Sequence, residues 1–189
     1  MKTIFGNNAP LPGNDEPVHP MDLVMQLGRT RRFNGSANPE WTVLHHTVLV
    51  QLIWLKTYGP DGLEHIMGHD FHEYVTGDIP SPVKMAIGRA AVEKVQDELD
   101  ERIFKSLGIQ KPDAIDAKCV KYVDWAALFI EAHYIGLPGH LKHIIDTSIG
   151  GLDQEARRHI QDAVEATCPE VVLEMGNAGY WTVPGPEAA

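Results

Sequence analysis

Glycine and proline cut this sequence into pieces of helical length, and no piece alternates apolar and polar residues long enough to form a strand. That pairing of features constrains the fold most. A chain without period-2 runs has no sheet face to bury, so its core must come from helices packed on helices. The expected class is all-α, a compact helical bundle. At 189 residues the chain is long enough for one ordinary domain and short for two, so a single domain over 1–189 is expected. No internal repeat is present.

The breakers set the expected segments. Pro10, Pro12, Gly13, Pro17 and Pro20 make residues 1–20 an irregular lead-in. A short amphipathic helix is expected over about 21–27, followed by a basic loop over 28–38 with Arg29, Arg31, Arg32 and Phe33. Pro39 suits the first turn of a helix running to about Tyr58, with Leu49, Leu52, Ile53 and Leu55 as apolar positions. A second helix is expected from near Asp61 to about Val75. Gly77, Pro80 and Pro82 then force a turn. A long polar helix to about Leu107 and another over about 113–135 follow. Shorter helices are expected over 140–148 and 152–166, and an irregular tail from Pro184.

Composition narrows the function. A net charge of −10 disfavours tracking of a nucleic-acid backbone, though a small anion remains a possible substrate where a cation offsets the field. No apolar run approaches the ~18 residues of a membrane span. The N-terminus lacks a basic segment followed by an apolar one, and two distant cysteines, Cys119 and Cys168, fit a reduced cytoplasmic protein. Ten histidines point to a metal.

The densest chemistry is His69-Asp70-Phe71-His72-Glu73. On a helix turning about 100° per residue, Glu73 projects between His69 and Asp70 one turn further on. An imidazole beside a carboxylate can ligate a divalent ion, and a carboxylate one turn away can hold the attacking water. The same residues also suit an ordinary polar surface helix. His46 shares the inward register of Leu49, Val50 and Ile53, and Asp124 shares the face of Val120, Val123 and Ala127, where a buried carboxylate needs a cation or close hydrogen bonds. Each alone could be a satisfied core residue. Together, His46, His69, Asp70 and Asp124 form a ligand set drawn from three helices.

The run from His69 to Lys84, with Gly77-Asp78-Ile79-Pro80-Ser81-Pro82-Val83-Lys84, resembles the HD-E-x-x-x-G-D-I/L-P-x-P-x-K signature of HD-domain nucleotidases. Those include bacterial 5′-deoxynucleotidases and small phage dATP triphosphohydrolases. Arg29-Thr30-Arg31-Arg32-Phe33-Asn34-Gly35 is similar to the family's arginine-aromatic loop, His46 falls at its metal histidine, and Lys121-Tyr122-Val123-Asp124 at its last aspartate. The likeness runs over about 18–131. It implies an HD-domain bundle with a divalent ion (Mn, Co, Mg, Zn or Fe) on His46, His69, Asp70 and Asp124. Glu73 would orient water, and Asp78 would assist proton transfer. Arg32 and Lys84 would clamp phosphate, with Phe33 against the sugar. The family's glutamate before the metal histidine is His45 here, so that helper carboxylate is absent and His45 stays a rival to His46. His65, one turn before His69, is a second rival; His140 and His143 read as a surface pair.

The implied reaction is hydrolysis of a deoxynucleotide at its P–O5′ bond. The favoured form is a dATP-like triphosphate giving deoxynucleoside and triphosphate, because three arginines crowd the loop. The alternatives are a 5′-nucleotidase acting on monophosphates and a catalytically weak nucleotide-binding module. The implied partner is a small nucleotide, with no nucleic-acid polymer and no membrane. The implied assembly is a homo-oligomer, located in the cytoplasm or, for a phage protein, the host's.

Overall fold

A computed structural model describes residues 9–11, 16–35, 41–135 and 151–177. The described residues are all-α, with an isolated bridge between Arg31 and Thr42 as their one β-type pairing. Helix α1 is Pro20–Leu27, α2 Val43–Thr57, α3 Leu63–Met67, α4 Glu73–Thr76, α5 Ser81–Ile87, α6 Arg89–Leu107, α7 Ala114–Tyr134, α8 Gln154–Thr167 and α9 Pro169–Asn177. A 3₁₀ turn covers Arg32–Gly35. No described helix is long and apolar enough to cross a membrane. The expected helix at 140–148 and the tail at 184–189 lie outside the described residues, as does Pro39.

Four expectations are corrected. Helix α2 begins at Val43, where Thr42 accepts the His45 N–H and the His45 ring accepts the Thr42 N–H at 3.0 Å, a reciprocal cap. The expected helix over 61–75 breaks: α3 stops at Gly68, and His69 to His72 form turns before α4. The polar helix to Leu107 is divided at Gly88, whose φ of 115° a side-chain-bearing residue rarely adopts. Helix α9 was not anticipated at all.

Two apolar clusters organise the bundle. One joins α2, α7, α8 and α9 through Val50, Ile53, Val123, Ala127, Ile160 and Val171. The other joins α1, the start of α2, the turn before α4, and α6 through Leu27, Val43, Phe71, Tyr74, Ile103 and Phe104. Helix α2 feeds both, Val43 into the second and Val50 into the first, with His46 one turn along between them. The described part of the lead-in is irregular as expected, tied down where the Val18 N–H donates to Ser106 Oγ at 2.6 Å.

Candidate metal centre

The seam between the clusters carries the polar site. His46 is fully buried, and its Nε2 lies 3.1 Å from His69 Nε2, 3.1 Å from Asp124 Oδ1 and 3.6 Å from Asp70 Oδ2. His69 Nε2 is 3.1 Å from Asp70 Oδ2 and 3.9 Å from Asp124 Oδ1. All four expected ligands are thus brought together, from α2, the turn after α3, and α7.

Both imidazoles are oriented from behind. His46 Nδ1 sits 2.8 Å from Glu131 Oε1, and Glu131 is ionised: burial opposes its charge, but Arg32 and His46 hold the carboxyl down to about 2. A proton therefore lies on Nδ1, and Nε2 is the nitrogen that faces the cluster. His69 Nδ1 donates to the Ile66 carbonyl at 2.7 Å, with the same result. Two imidazole nitrogens face each other at 3.1 Å with two carboxylates beside them. That arrangement calls for positive charge, from a proton or a metal ion. Burial and Arg32 disfavour a proton on His46, yet Glu131 and Asp124 outweigh them and push its pKa up to about 10. Ligands about 2.0–2.1 Å from an ion and subtending 90–109° stand about 2.9–3.4 Å apart, which matches the two nitrogens. The donor set fits a divalent metal, and these buried groups could hold one: His46, His69 and Asp70 each offer a ligand atom within 4.8 Å of the others.

The rival histidines separate cleanly. His45 is exposed, caps α2 and stacks on Trp41 with ring centroids 5.2 Å apart, away from the cluster. His65 turns to Asp116, 3.3 Å away. His140 and His143 lie outside the described residues. One expectation fails in detail: Asp124 is not buried, since its side chain is 38% exposed at the edge of a cleft. Its charge faces the ligand site rather than the core.

Around this centre lie the other expected residues. Glu73 is buried, and burial, then Asp70 and Asp78, raise its carboxyl well above the usual range; its Oε2 has no hydrogen-bond partner. Asp78 Oδ2 accepts the Phe33 N–H at 2.5 Å, and burial pushes its carboxyl up. That bond holds Phe33 in the left-handed region, at φ 54° and ψ 31°, which costs a non-glycine residue about 1–2 kcal/mol. Arg32 donates from Nη2 to Glu131 Oε2 at 3.0 Å, with Nη1 3.7 Å from Asp70 and its guanidinium 5.0 Å over the Phe33 ring. A cavity of about 150 Å³ is lined by Arg32, Phe33, Glu73, Asp78, Lys84 and Asp124, among others. An adjoining cleft of about 640 Å³ shares Asp70, Lys84 and Asp124 and adds Arg89 and Lys121. Arg29 and Arg31 are exposed and line neither.

Sequence reasoning missed two carboxylates. Glu131, only 1% exposed, supplies the helper that position 45 lacks, from the opposite side of the site; it also accepts the Trp41 indole N–H at 2.8 Å. Its signal was present, two turns after Asp124 on the same face of α7. Asp100 accepts the His72 N–H at 2.8 Å and pairs with His72 Nδ1 at 2.9 Å, fastening the ligand-bearing turn to α6. Nothing in the charged sequence of α6 distinguished it.

No protein-family model matches the chain. An uncharacterized protein of Rhodobacter capsulatus is similar, 29% identical over 129 residues that make up 61% of this chain and 64% of that protein. The chain therefore spans a little under two thirds of that relative's length.

Proposed function

We propose that this chain is a divalent-metal phosphohydrolase of HD type, cleaving a deoxynucleoside triphosphate at the P–O5′ bond to give deoxynucleoside and triphosphate. The observation that carries the reading is the convergence of His46, His69, Asp70 and Asp124 beside a cavity lined by Arg32, Phe33, Glu73, Asp78 and Lys84. A divalent ion on those four ligands would lower the pKa of water and offset phosphate charge. Of Mn, Co, Mg, Zn and Fe, all but Mg suit two imidazoles with two carboxylates; Mg prefers oxygen ligands throughout.

The chain's own groups divide the remaining work. Glu73 takes the proton of the attacking water; burial, then Asp70 and Asp78, raise its carboxyl and so its basicity. Water bonds to phosphorus, the P–O5′ bond breaks, and O5′ leaves with a proton supplied by Asp78, a raised carboxyl on the cavity wall. Arg32, kept charged by Glu131 and Asp70 against the cost of burial, presents a fixed guanidinium to phosphate. Lys84 and Lys121 stand along the adjoining cleft, where Arg89 is paired with Glu93 and the carboxylates outnumber the cations, so a triphosphate tail there would depend on the metal ion to offset its charge. The cleft volume lies within the range of small-molecule sites. The same reading makes the partner a small nucleotide, the assembly a homo-oligomer and the location cytoplasmic.

The test is a panel of ribo- and deoxynucleotides, as mono- and triphosphates, with each of the five metals and with products resolved. Deoxynucleoside plus triphosphate is the expected outcome. Turnover of monophosphates alone would shift the reading to a 5′-nucleotidase, and no turnover with any metal would reject it.

A further inference from the structure

The cavity beside the metal ligands has two kinds of wall. Its ionic side chains, Arg32, Asp70, Glu73, Asp78, Lys84 and Asp124, all have work in the reading above. Four apolar ones, Ile79, Pro80, Trp125 and Leu128, have none. Phosphate and metal gain nothing from apolar neighbours, so these side chains call for an apolar part of the ligand. Trp125 is the largest of them and the one whose place is best fixed. It follows Asp124 directly on α7, about 100° further round the helix, so the indole stands beside the metal ligand. Tyr122, one turn earlier, leans on it at 38° with centroids 6.5 Å apart, and Tyr122 is itself stacked on His159 of α8 at 5.0 Å. A row of rings thus backs the indole. Yet Trp125 is only half-buried, and it borders both the cavity and the adjoining cleft.

We propose that Trp125 is the platform on which the substrate's nucleobase stacks, and that the site takes purine and pyrimidine deoxynucleotides alike. The inference deepens the phosphohydrolase reading and rests on it. A phosphate held at the four ligands leaves sugar and base to extend along the wall, where Phe33, from the 3₁₀ turn, and Trp125, from α7, are two separate rings to meet them. A flat base stacks on an indole whatever its edge carries, since every base has a π face. Reading the edge needs fixed donors and acceptors. Here Ser81 is the one neutral polar side chain among the lining residues, and Arg32 and Asp78 are already bonded to Glu131 and the Phe33 N–H. The site therefore grips a base without choosing strongly among bases.

Equilibrium binding of deoxyadenosine, thymidine and inorganic triphosphate to the full chain in Mn²⁺ tests it, because none of the three carries a P–O5′ bond to cleave. Trp125→Leu should weaken both nucleosides about tenfold to a hundredfold and leave triphosphate within about twofold. Trp125→Phe keeps a ring and should recover most of that loss. The wild type should bind the two nucleosides within about tenfold of each other. Both should quench its tryptophan emission, and neither should quench that of Trp125→Phe, which keeps the other three tryptophans. Nucleoside affinity that ignores Trp125→Leu, or a loss shared equally by triphosphate, overturns the platform. A preference above about a hundredfold for one nucleoside overturns the tolerance. Should Trp125→Leu fail to fold, the wild-type arm still decides: nucleoside binding that leaves the emission unchanged rejects the stacking. Deoxynucleotide turnover with a silent Trp125 would sink the platform and spare the hydrolysis. Nucleoside binding on Trp125 without turnover would do the reverse.

Discussion

Gly68→Ala probes how the fold aims the turn that carries His69 and Asp70. Gly68 ends α3 immediately before His69, in an ordinary right-handed conformation with φ −90°, so backbone strain plays no part. A Cβ there would overlap Phe104 Cε1 and stand 2.8 Å from Phe104 Cζ, against about 3.5–4.0 Å for an ordinary carbon contact. Phe104 cannot swing aside: it is 5% exposed and lies edge-on to Phe71, with centroids 6.0 Å apart. Overpacking of this kind costs about 1–3 kcal/mol. Replacing a glycine in a permitted conformation recovers about 0.4–1 kcal/mol through the unfolded chain. The net expectation is a loss of about 1–2 kcal/mol, seen as a lower urea midpoint at unchanged slope. Because His69 follows directly, with its Nδ1 bonded to the Ile66 carbonyl, Zn²⁺ affinity should fall as well. Phe104→Leu removes the ring edge, so in that background Gly68→Ala should be near neutral, a coupling of about 1–2 kcal/mol. An equal cost in both backgrounds would refute the steric argument.

His45→Ala should leave metal content unchanged and cost about 0.5–2 kcal/mol of stability, because it removes a helix cap and no ligand; metal loss would put His45 back in the site. Phe33→Ala should raise activity on ribonucleotides relative to deoxynucleotides, since burying a 2′-hydroxyl against the ring without a partner costs about 1–3 kcal/mol. The ratio of kcat/KM for dATP over ATP should therefore fall by roughly tenfold to a hundredfold, and an unchanged ratio would make Phe33 a loop anchor only.

Much of the site was legible because its residues obey helical register. His46 lies on the α2 face of Val43, Val50 and Ile53, all fully buried. The same helix shows where register stops informing. Val48, Leu52 and Leu55 are apolar yet 50%, 51% and 42% exposed, so of the apolar positions expected in this helix only some face the core. A helix apolar all round does not declare its buried side. The His69–Glu73 motif was placed on a continuous helix because nothing local breaks it. What register could not show is that Phe104, thirty-six positions away in the sequence, leaves room only for a glycine at 68, the residue at which α3 ends. Asp124 was read as buried from its apolar neighbours, but the cleft opens on its side of α7. Glu131 was within reach of the argument used for Asp124, since both share a face with Val123, Ala127 and Ile130. Asp100 was not, because its partner His72 is fixed by tertiary packing alone.

The central claim is that His46, His69, Asp70 and Asp124 hold a divalent ion while Glu73 serves the chemistry without holding it. Metal content per chain, measured in the wild type, Asp70→Ala and Glu73→Ala alongside turnover of the best nucleotide, tests this most directly. The wild type should carry a tightly bound ion, and Asp70→Ala should lose both ion and activity. Glu73→Ala should keep the ion and lose about 10²–10⁴ in rate. An Asp70→Ala protein with undiminished metal and turnover would contradict the account.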